Sequence, residues 1–202
     1  GVQAGGIDFG IGQNLYAMIG HHEQMDYYNG AGVDITYMGL GELGEDGSVN
    51  STRMGSRCTG AGGFIDITQN AKKVVFLGTF TASGAKYQFA DGRLTILQEG
   101  KIRKMVKQVA QLSFNGPMAR EKGQEVTIVT ERAVFCLCKE GVELIEIAPG
   151  IDLQTQVLDM MDFQPLVSPK LKLMDERLFI EDGPFGLKLK EKSLNKKGKQ
   201  ID

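Results

Sequence analysis

Residues 72–80 read KKVVFLGTF, and this stretch decides the fold class of the 202-residue chain. Four apolar residues, Val74 to Leu77, follow two lysines and stop at Gly78. An apolar run of this length without polar alternation predicts a strand that is buried on both faces, as in a parallel sheet. Residues 33–40, VDITYMGL, lie between glycines and predict a second strand of the same kind.

The sequence after residue 85 predicts antiparallel pairing. Asp91-Gly92 stands between alternating residues in KYQFADGRLTIL and is the strongest hairpin signal of the chain. Residues 127–138, TIVTERAVFCLC, predict one or two more strands, and residues 142–147 predict another that stops at Pro149-Gly150. Together these segments predict an α/β fold with an open mixed sheet and an antiparallel hairpin portion.

Two segments have helical features. Asn14 is a capping-type residue, so Asn14 to Ile19 predicts a short helix or helical turn. Asp152 is a plausible N-cap for a second helix, in which the apolar residues have helical spacing. Those residues are Leu153, Val157, Leu158 and Met161.

Composition restricts the possible functions. Apolar residues make up 42% of the chain and charged residues 24%, with a net charge of -2, which is typical of one globular domain and favours neither nucleic acid nor membrane as a partner. No segment approaches the roughly 18 apolar residues of a membrane helix. Cys58, Cys136 and Cys138 are an odd number of cysteines, which argues against a disulfide framework and predicts a reducing, cytoplasmic compartment. For Cys136 and Cys138, core packing is favoured over metal binding.

The two ends of the chain differ from its middle. The opening residues, GVQAGGIDFG, lack an initiator methionine and are typical of a loop interior, so we expect the natural polypeptide to begin upstream of Gly1. Residues 188–202 are rich in lysine and predict a disordered, solvated tail. A nucleic-acid arm is less favoured there because no aromatic residues alternate with the charges. We therefore expect one domain over residues 1–187, followed by this tail.

Residues 57–70, RCTGAGGFIDITQN, contain the densest glycine cluster: Gly60, Gly62 and Gly63. A phosphate-binding Walker loop requires Gly-Lys-Ser/Thr, and here Phe64 and Ile65 follow instead. The dinucleotide fingerprint also lacks its third glycine. Two interpretations stay open: a loop whose backbone N–H groups face an anion or a polarised carbonyl oxygen, and a tight turn between sheet elements.

Asn50 and Lys86 are the other candidate site residues. Asn50 stands in a polar segment, GSVNSTRMG, which can line a ligand crevice at the carboxyl ends of strands or form a turn with its own backbone. Lys86, after TASGA, can contact a phosphate or be solvated. The adjacent His21 and His22 lack a carboxylate at ligand spacing, so a metal site is not indicated, and no G-x-S-x-G motif supports serine hydrolase chemistry.

The segments, taken in order, resemble the family I coenzyme A transferases, and most closely the fused single-chain acetate or propionate CoA-transferases. The resemblance covers nearly all of the chain except the lysine-rich tail. The matching segments are GGIDFG (5–10), MDYYNGAGVD (25–34), EDGSVNSTRMG (45–55), GAGGFIDITQNAKKVVFLGTFTASG (60–84), LSFNG (112–116), VTERAVF (129–135) and EIAPGIDLQTQVLDMMDF (146–163).

The resemblance implies that this chain is the C-terminal, β-type half of a transferase, packed against a similar N-terminal, α-type half in a homo-oligomer. It implies exchange of coenzyme A between a short-chain acyl-CoA, such as acetyl-, propionyl- or butyryl-CoA, and a short carboxylic acid. The exchange passes through a glutamyl-CoA thioester and needs no metal and no cofactor other than CoA as a substrate. A 3-oxoacid CoA-transferase half and a non-catalytic half for CoA binding or assembly are the alternatives.

The family motifs map onto particular residues. The catalytic glutamate is expected a few residues before Gly1, so this chain contains no catalytic residue, and we expect it to be inactive alone. Gly60, Gly62 and Gly63 match the glycine loop beside the thioester, and Asn50 matches a residue that orients the nucleophile or acid. Lys86 matches a possible contact to the CoA phosphates. Gln3 stands where the family commonly has proline, and Gly30 and Gly32 match a tight turn beside the site.

Overall fold

The computed structural model describes residues 2–3, 12–30, 32–181 and 186. The strands of this part of the chain are β1 (Val2–Gln3), β2 (Gly12–Gln13), β3 (Ile35–Gly39), β4 (Glu42–Gly44), β5 (Val49–Asn50), β6 (Arg53–Met54), β7 (Arg57–Cys58), β8 (Lys73–Leu77), β9 (Thr81–Ala82), β10 (Lys86–Ala90), β11 (Arg93–Gln98), β12 (Ile102–Arg103), β13 (Met105–Val106), β14 (Glu125–Val129), β15 (Ala133–Leu137), β16 (Val142–Ile147) and β17 (Leu166–Leu173). The helices are α1 (His21–Gly30), α2 (Phe64–Gln69), α3 (Gly116–Lys122) and α4 (Leu153–Gln156), with 3-10 turns at Leu158–Met160 and Glu176–Phe179.

A six-stranded mixed sheet forms the centre of the fold, with the order β17-β16-β15-β14-β8-β3. Strands β3, β8 and β14 are parallel, β15 is antiparallel to both of its neighbours, and β17 is parallel to β16. The helix α2 follows the short strands β4 to β7 and precedes β8, and α3 precedes β14. The predicted α/β fold with an open mixed sheet is confirmed.

One face of this sheet carries the core. Val74 and Phe76 of β8 point into it, and Ile128 of β14 lies in register beside Phe76. The Phe76 ring packs against Phe64 of α2 at a centroid distance of 5.9 Å and against Phe114, near α3, at 5.1 Å. Fully buried aromatic side chains are among the largest apolar contributions to folding. Phe76 therefore fixes α2 and α3 on the same face of the sheet.

The prediction that the strands of residues 33–40 and 72–80 are buried on both faces is wrong. Ile35 and Leu77 are each 44% exposed and Tyr37 is 63% exposed on the face opposite Phe76. Strand β3 is an edge strand of the sheet, and the described helices α2 and α3 pack on the other face. An apolar run without polar alternation indicates a strand, but it does not show which faces this part of the chain covers.

The predicted hairpin at Asp91-Gly92 is confirmed, and so are the strands predicted in residues 127–138. Strands β10 and β11 pair antiparallel around Asp91 and Gly92, which both have positive φ values of 51° and 71°. Positive φ at both central residues is the requirement of the tight hairpin turn that Asp-Gly favours. Residues 127–138 lie in two antiparallel strands, β14 and β15.

The predicted helix from Asn14 to Ile19 is wrong, because Asn14 has φ 55° and the described residues 12–20 contain no helix. The helix α1 follows Gly20, whose carbonyl accepts a hydrogen bond from Gln24 N at 3.1 Å. Glu23 Oε2 accepts from Gly20 N at 2.7 Å, which is half of a capping box. The start signal is therefore Glu23, three residues after the cap.

The cap predicted at Asp152 is confirmed, since its Oδ1 accepts from Thr155 N at 2.8 Å. The α-helix is shorter than the apolar spacing indicates, because α4 ends at Gln156 and a 3-10 turn follows. Val157 and Met161 are nevertheless buried, as the spacing predicts.

The lysine-rich tail, residues 188–202, and the loop GGIDFG at 5–10 lie outside the described residues. None of the helices in the described ranges has the length and apolar character needed to cross a bilayer. Cys58 is exposed, and Cys136 and Cys138 are half-buried free thiols. Burial raises the pKa of Cys136, and the Glu143 carboxylate raises it further.

Candidate active site

The carboxyl ends of the parallel strands β3, β8 and β14 lie side by side and define one edge of the sheet. Leu40 N donates to Leu77 O at 2.8 Å, and Gly78 N donates to Val129 O at 3.2 Å, so the three loops that follow these strands start in contact. A Cβ atom at Gly78 would lie 2.9 Å from Leu40 Cβ, which explains the glycine. Open α/β sheets bind ligands at this edge.

Asn50 is fully buried at the end of β5, whereas the sequence placed it in a polar loop. Its Oδ1 accepts from the backbone N–H groups of Thr52 at 3.0 Å and Arg53 at 3.1 Å. Its Nδ2 donates to Glu42 Oε2 at 2.8 Å and to Arg53 O at 2.6 Å. Asn50 thus forms a turn with its own backbone, which is one of the two interpretations of its segment. The bond to Glu42 anchors this turn.

The glycine loop at residues 59–63 follows the two-residue strands β6 and β7 and leads into α2. Gly60 and Gly62 have φ values of 81° and 52°, which only glycine adopts easily, and a Cβ atom at either position would meet open space. Gly63 caps α2 and lies against the Met25 side chain of α1. The conformation of this loop, and not close packing, therefore requires Gly60 and Gly62.

The loop is tied to the Asn50 turn. Thr59 donates to the Thr52 carbonyl through its backbone N–H at 3.0 Å and its hydroxyl at 3.2 Å. Two of the predicted site elements, the Asn50 turn and the glycine loop, are thereby brought together. Lys86 is different, because it is exposed at the start of β10 and no hydrogen bond or ion pair in the described residues joins it to this loop.

Sequence reasoning missed a buried cluster of charges behind the β8 loop. Arg132 has no exposed side-chain surface. It bonds Glu131 Oε1 at 2.7 Å and both carboxylate oxygens of Glu99 at 2.6 and 2.9 Å. Burial opposes its charge, yet these two carboxylates keep the pKa of Arg132 above its ordinary value. The cluster was not predicted because Glu99 and Arg132 are 33 residues apart in the chain, and the VTERAVF segment that contains Arg132 does not indicate its partner.

This cluster holds the backbone that follows β8. Glu131 Oε2 accepts from Phe80 N at 2.8 Å, and the guanidinium of Arg132 lies 4.8 Å from the centre of the Phe80 ring. From the other side, the buried Lys104 donates from Nζ to Thr79 O at 2.7 Å. Burial lowers the pKa of Lys104, while Glu131 acts in the opposite direction. Residues 78–80 are therefore fixed by charges on both sides.

A groove of about 250 Å³ lies between α2 and α3. Its walls are one face of each helix together with the segment that leads into α3. The lining residues are Ile65, Thr68, Gln69, Leu112, Ser113, Phe114, Asn115, Met118, Ala119, Lys122 and Gln124. Ser113 links the groove to the Asn50 turn, because its hydroxyl accepts from Ser51 N at 3.0 Å and contacts the Thr52 hydroxyl at 3.0 Å.

Comparison with known proteins supplies the class. A scan against models of protein families finds no match. The chain is 46% identical over 191 residues to the acetate CoA-transferase YdiF of Escherichia coli O157:H7, which covers 95% of this chain and 36% of that protein. It is 45% identical over 186 residues to the caffeate CoA-transferase of Acetobacterium woodii, covering 90% of this chain and 35% of that protein.

The fold gives the same result. The structure of the acyl-CoA transferase YdiF from E. coli O157:H7, in a thioester complex with CoA, superposes with a TM-score of 0.84 at 45% identity. It covers 87% of this chain and 34% of that chain. In sequence and fold the chain is similar to the family I coenzyme A transferases, as its motifs predict. It spans about a third of the length of the relatives that it matches.

Proposed function

We propose that this chain is the C-terminal, β-type part of an enzyme that moves coenzyme A between a short-chain acyl-CoA and a short carboxylic acid. The observation that supports this most strongly is the 46% identity to an acetate CoA-transferase across 95% of the chain. The TM-score of 0.84 to a relative captured as a thioester with CoA supports the same activity.

The proposed chemistry uses a glutamate upstream of Gly1. Its carboxylate attacks the thioester carbonyl of the acyl-CoA, forming an acyl-glutamyl anhydride and expelling CoA thiolate. The thiolate attacks the glutamyl carbonyl, which releases the free acid and leaves a glutamyl-CoA thioester. The acceptor carboxylate then reverses both steps. One thioester is broken and one is formed, without water, metal or redox change.

The glycine loop supplies backbone close to the reacting thioester. Gly60 and Gly62 have no side chain to block approach, and their positive φ values keep the loop in a conformation that other residues resist. Each tetrahedral intermediate places negative charge on the carbonyl oxygen, and backbone N–H groups aimed at such an oxygen stabilise it. We assign this role to the loop of Gly60, Gly62 and Gly63.

Asn50 acts beside this loop as a positioning residue. Asn50 Nδ2 donates its two hydrogen bonds to Glu42 Oε2 and to the Arg53 carbonyl. Asn50 therefore acts by fixing the turn at residues 50–53, whose Thr52 carbonyl accepts a hydrogen bond from Thr59 N. Through Thr52 the turn sets where the glycine loop begins. Lys86 remains a predicted contact to the CoA phosphates, from the hairpin.

The rest of the enzyme belongs to the same proposal. An N-terminal, α-type half completes the site, the assembly is a cytoplasmic homo-oligomer, and CoA is a substrate with no metal or nucleotide cofactor. The chain by itself lacks the nucleophile and is inactive.

The test is a panel of acyl-CoA donors and carboxylic acid acceptors, applied in parallel to the full-length protein and to residues 1–202. The full-length protein should transfer CoA from acetyl-CoA to propionate with ping-pong kinetics, and the isolated chain should not. Exchange by the isolated chain would contradict the placement of the nucleophile. Absence of exchange by the full-length protein with every pair would contradict the function.

A further inference from the structure

We propose that Glu42, on β4, is a positioning residue for the transfer reaction. Its carboxylate closes a ring of hydrogen bonds around the Asn50 turn, and this ring sets where the glycine loop begins. The inference rests on the proposed function, which places the reacting thioester at that loop. The ring consists of Glu42, Asn50, Ser51, Ala110 and Ser113.

The Glu42 carboxylate joins two segments that are far apart in the chain. Its Oε2 accepts from Asn50 Nδ2 at 2.8 Å, across the pairing of β4 with β5, and from Ala110 N at 2.8 Å. Ala110 lies in the segment between β13 and α3. One carboxylate oxygen therefore holds the Asn50 side chain against the backbone of that segment.

The same segment returns to the Asn50 turn through Ser113, which closes the ring. The Ser113 hydroxyl accepts from Ser51 N at 3.0 Å and lies 3.0 Å from the Thr52 hydroxyl. Ser113 and Thr52 are buried, and Asn50 has no exposed surface. Because water has little access to these groups, the loss of one partner leaves a buried polar group unsatisfied.

The turn that the ring holds is bonded to the glycine loop. The Thr52 carbonyl accepts from the N–H and from the hydroxyl of Thr59, which directly precedes Gly60. The Thr52 N–H in turn donates to Asn50 Oδ1 at 3.0 Å. A shift of the Asn50 amide therefore moves Thr52 and, with it, the start of the loop. Misplacement of a catalytic group by about 1 Å can lower a rate about a hundredfold.

The ring requires length, and not charge, of the side chain at residue 42. Glutamine has the same length as glutamate and presents a carbonyl oxygen that can accept from Asn50 and Ala110. Aspartate keeps the charge but is one methylene shorter, so it cannot reach both donors. Alanine removes the acceptor. We therefore expect activity to fall in the order glutamate, glutamine, aspartate, alanine.

The experiment measures kcat and KM of the full-length enzyme with acetyl-CoA and propionate. We expect Glu42→Gln to retain kcat within about threefold, because the acceptor remains. Glu42→Asp and Glu42→Ala should lower kcat about ten- to a hundredfold, the effect of a displaced catalytic loop. The KM for both substrates should change less than about threefold, because the loop acts on the transition state.

A second measurement does not depend on turnover. Amide hydrogen exchange of the full-length enzyme should be faster at Thr59 in Glu42→Ala than in the wild type, because the carbonyl that accepts from its N–H is no longer fixed. Exchange at Ile128, in the central strand β14, should not change. A wild-type enzyme that transfers no CoA would defeat the proposed function but leave this measurement informative, so the two failures are distinguishable.

Two control variants separate position from stability. Glu45→Ala is the matched control, because Glu45 is exposed on the same segment as Glu42, and it should change neither kcat nor exchange at Thr59. Asp175 caps the 3-10 turn after β17, at the opposite edge of the sheet from β3. Asp175→Ala should therefore lower the urea midpoint and leave kcat unchanged.

Three results would overturn the proposal. The first is a wild-type kcat with wild-type exchange at Thr59 in Glu42→Ala or, if that variant does not fold, in Glu42→Asp. The second is a lower kcat in Glu42→Gln than in Glu42→Asp, since that order assigns the effect to charge. The third is an equal loss of kcat in Asp175→Ala and Glu42→Ala, which would assign it to stability.

Discussion

Replacement of Arg132 by methionine tests the buried charge cluster that shapes the β8 loop. Arg132 has no exposed side-chain surface, and its partners Glu131 and Glu99 are 11% and 31% exposed. Methionine fills much of the volume but donates no hydrogen bond, so the buried Glu131 carboxylate loses the guanidinium that is bonded to it. Breaking such a pair on one side typically costs about 3–5 kcal/mol. Since domains are stable by about 5–15 kcal/mol, the loss is a large fraction of the total.

The assay is urea unfolding of the purified chain, followed by circular dichroism. We expect a lower midpoint with an unchanged slope, because the surface exposed on unfolding stays the same. In thermal unfolding, the loss corresponds to a decrease of about 6–20 °C for a chain of this length. The double variant Arg132→Met with Glu131→Gln should recover part of the loss, because it removes the orphaned charge.

Lys72→Met is the matched control, since Lys72 pairs with Asp34 at 2.7 Å at the fully exposed surface. It should not shift the urea midpoint measurably. If Arg132→Met lowers the free energy of unfolding by less than about 1 kcal/mol, as for an exposed ion pair, the reasoning is refuted. Residues 78–80 would then be held by other contacts.

Three further predictions concern single residues. Burial lowers the pKa of Lys104 in the folded protein. The contribution of the Lys104 side chain to the free energy of unfolding is therefore most favourable above 10.5, its ordinary pKa, and is lost as the pH falls through the folded pKa. Stability of the wild type relative to Lys104→Met should therefore rise with pH just below 10.5, and a flat difference in urea titrations would contradict it. Gly116→Ala should cost about 1–3 kcal/mol in urea unfolding, because its Cβ would lie under 3.0 Å from the backbone of residues 46–48; an unchanged midpoint would show that this turn can move. Gly30→Ala, where a Cβ meets nothing within 4 Å, should leave the midpoint nearly unchanged, and a loss comparable to that of Gly116→Ala would contradict the packing argument.

The sequence was sufficient for the strands that have a local signal. The apolar run 74–77 and the Asp91-Gly92 turn each specify their structure within a few residues, and both were predicted correctly. Burial of the strand faces was not predicted, because exposure of Tyr37 depends on which elements pack on the sheet and not on β3 itself. A helix was predicted at Asn14 to Ile19 because Asn14 resembles a cap, whereas the helix that forms is α1, whose cap contact comes from Glu23.

The sequence likewise predicts some features of the candidate site and not others. The glycine loop was predicted because positive φ at Gly60 and Gly62 favours glycine, and a cluster of glycines is visible in the sequence. The Arg132 cluster and the groove left none, since each is assembled from segments that are far apart in the chain. Lys86 was a candidate because it follows TASGA, and in the structure it is exposed at the start of β10.

The covalent intermediate tests the central claim most directly. Full-length enzyme incubated with acetyl-CoA and no acceptor, then digested and analysed by mass spectrometry, should yield one peptide that carries CoA in thioester linkage. That peptide should contain a glutamate a few residues before Gly1. Propionate added before digestion should remove the CoA from the enzyme and release it as propionyl-CoA. Turnover without any CoA adduct, or an adduct on a residue within 1–202, would contradict the account.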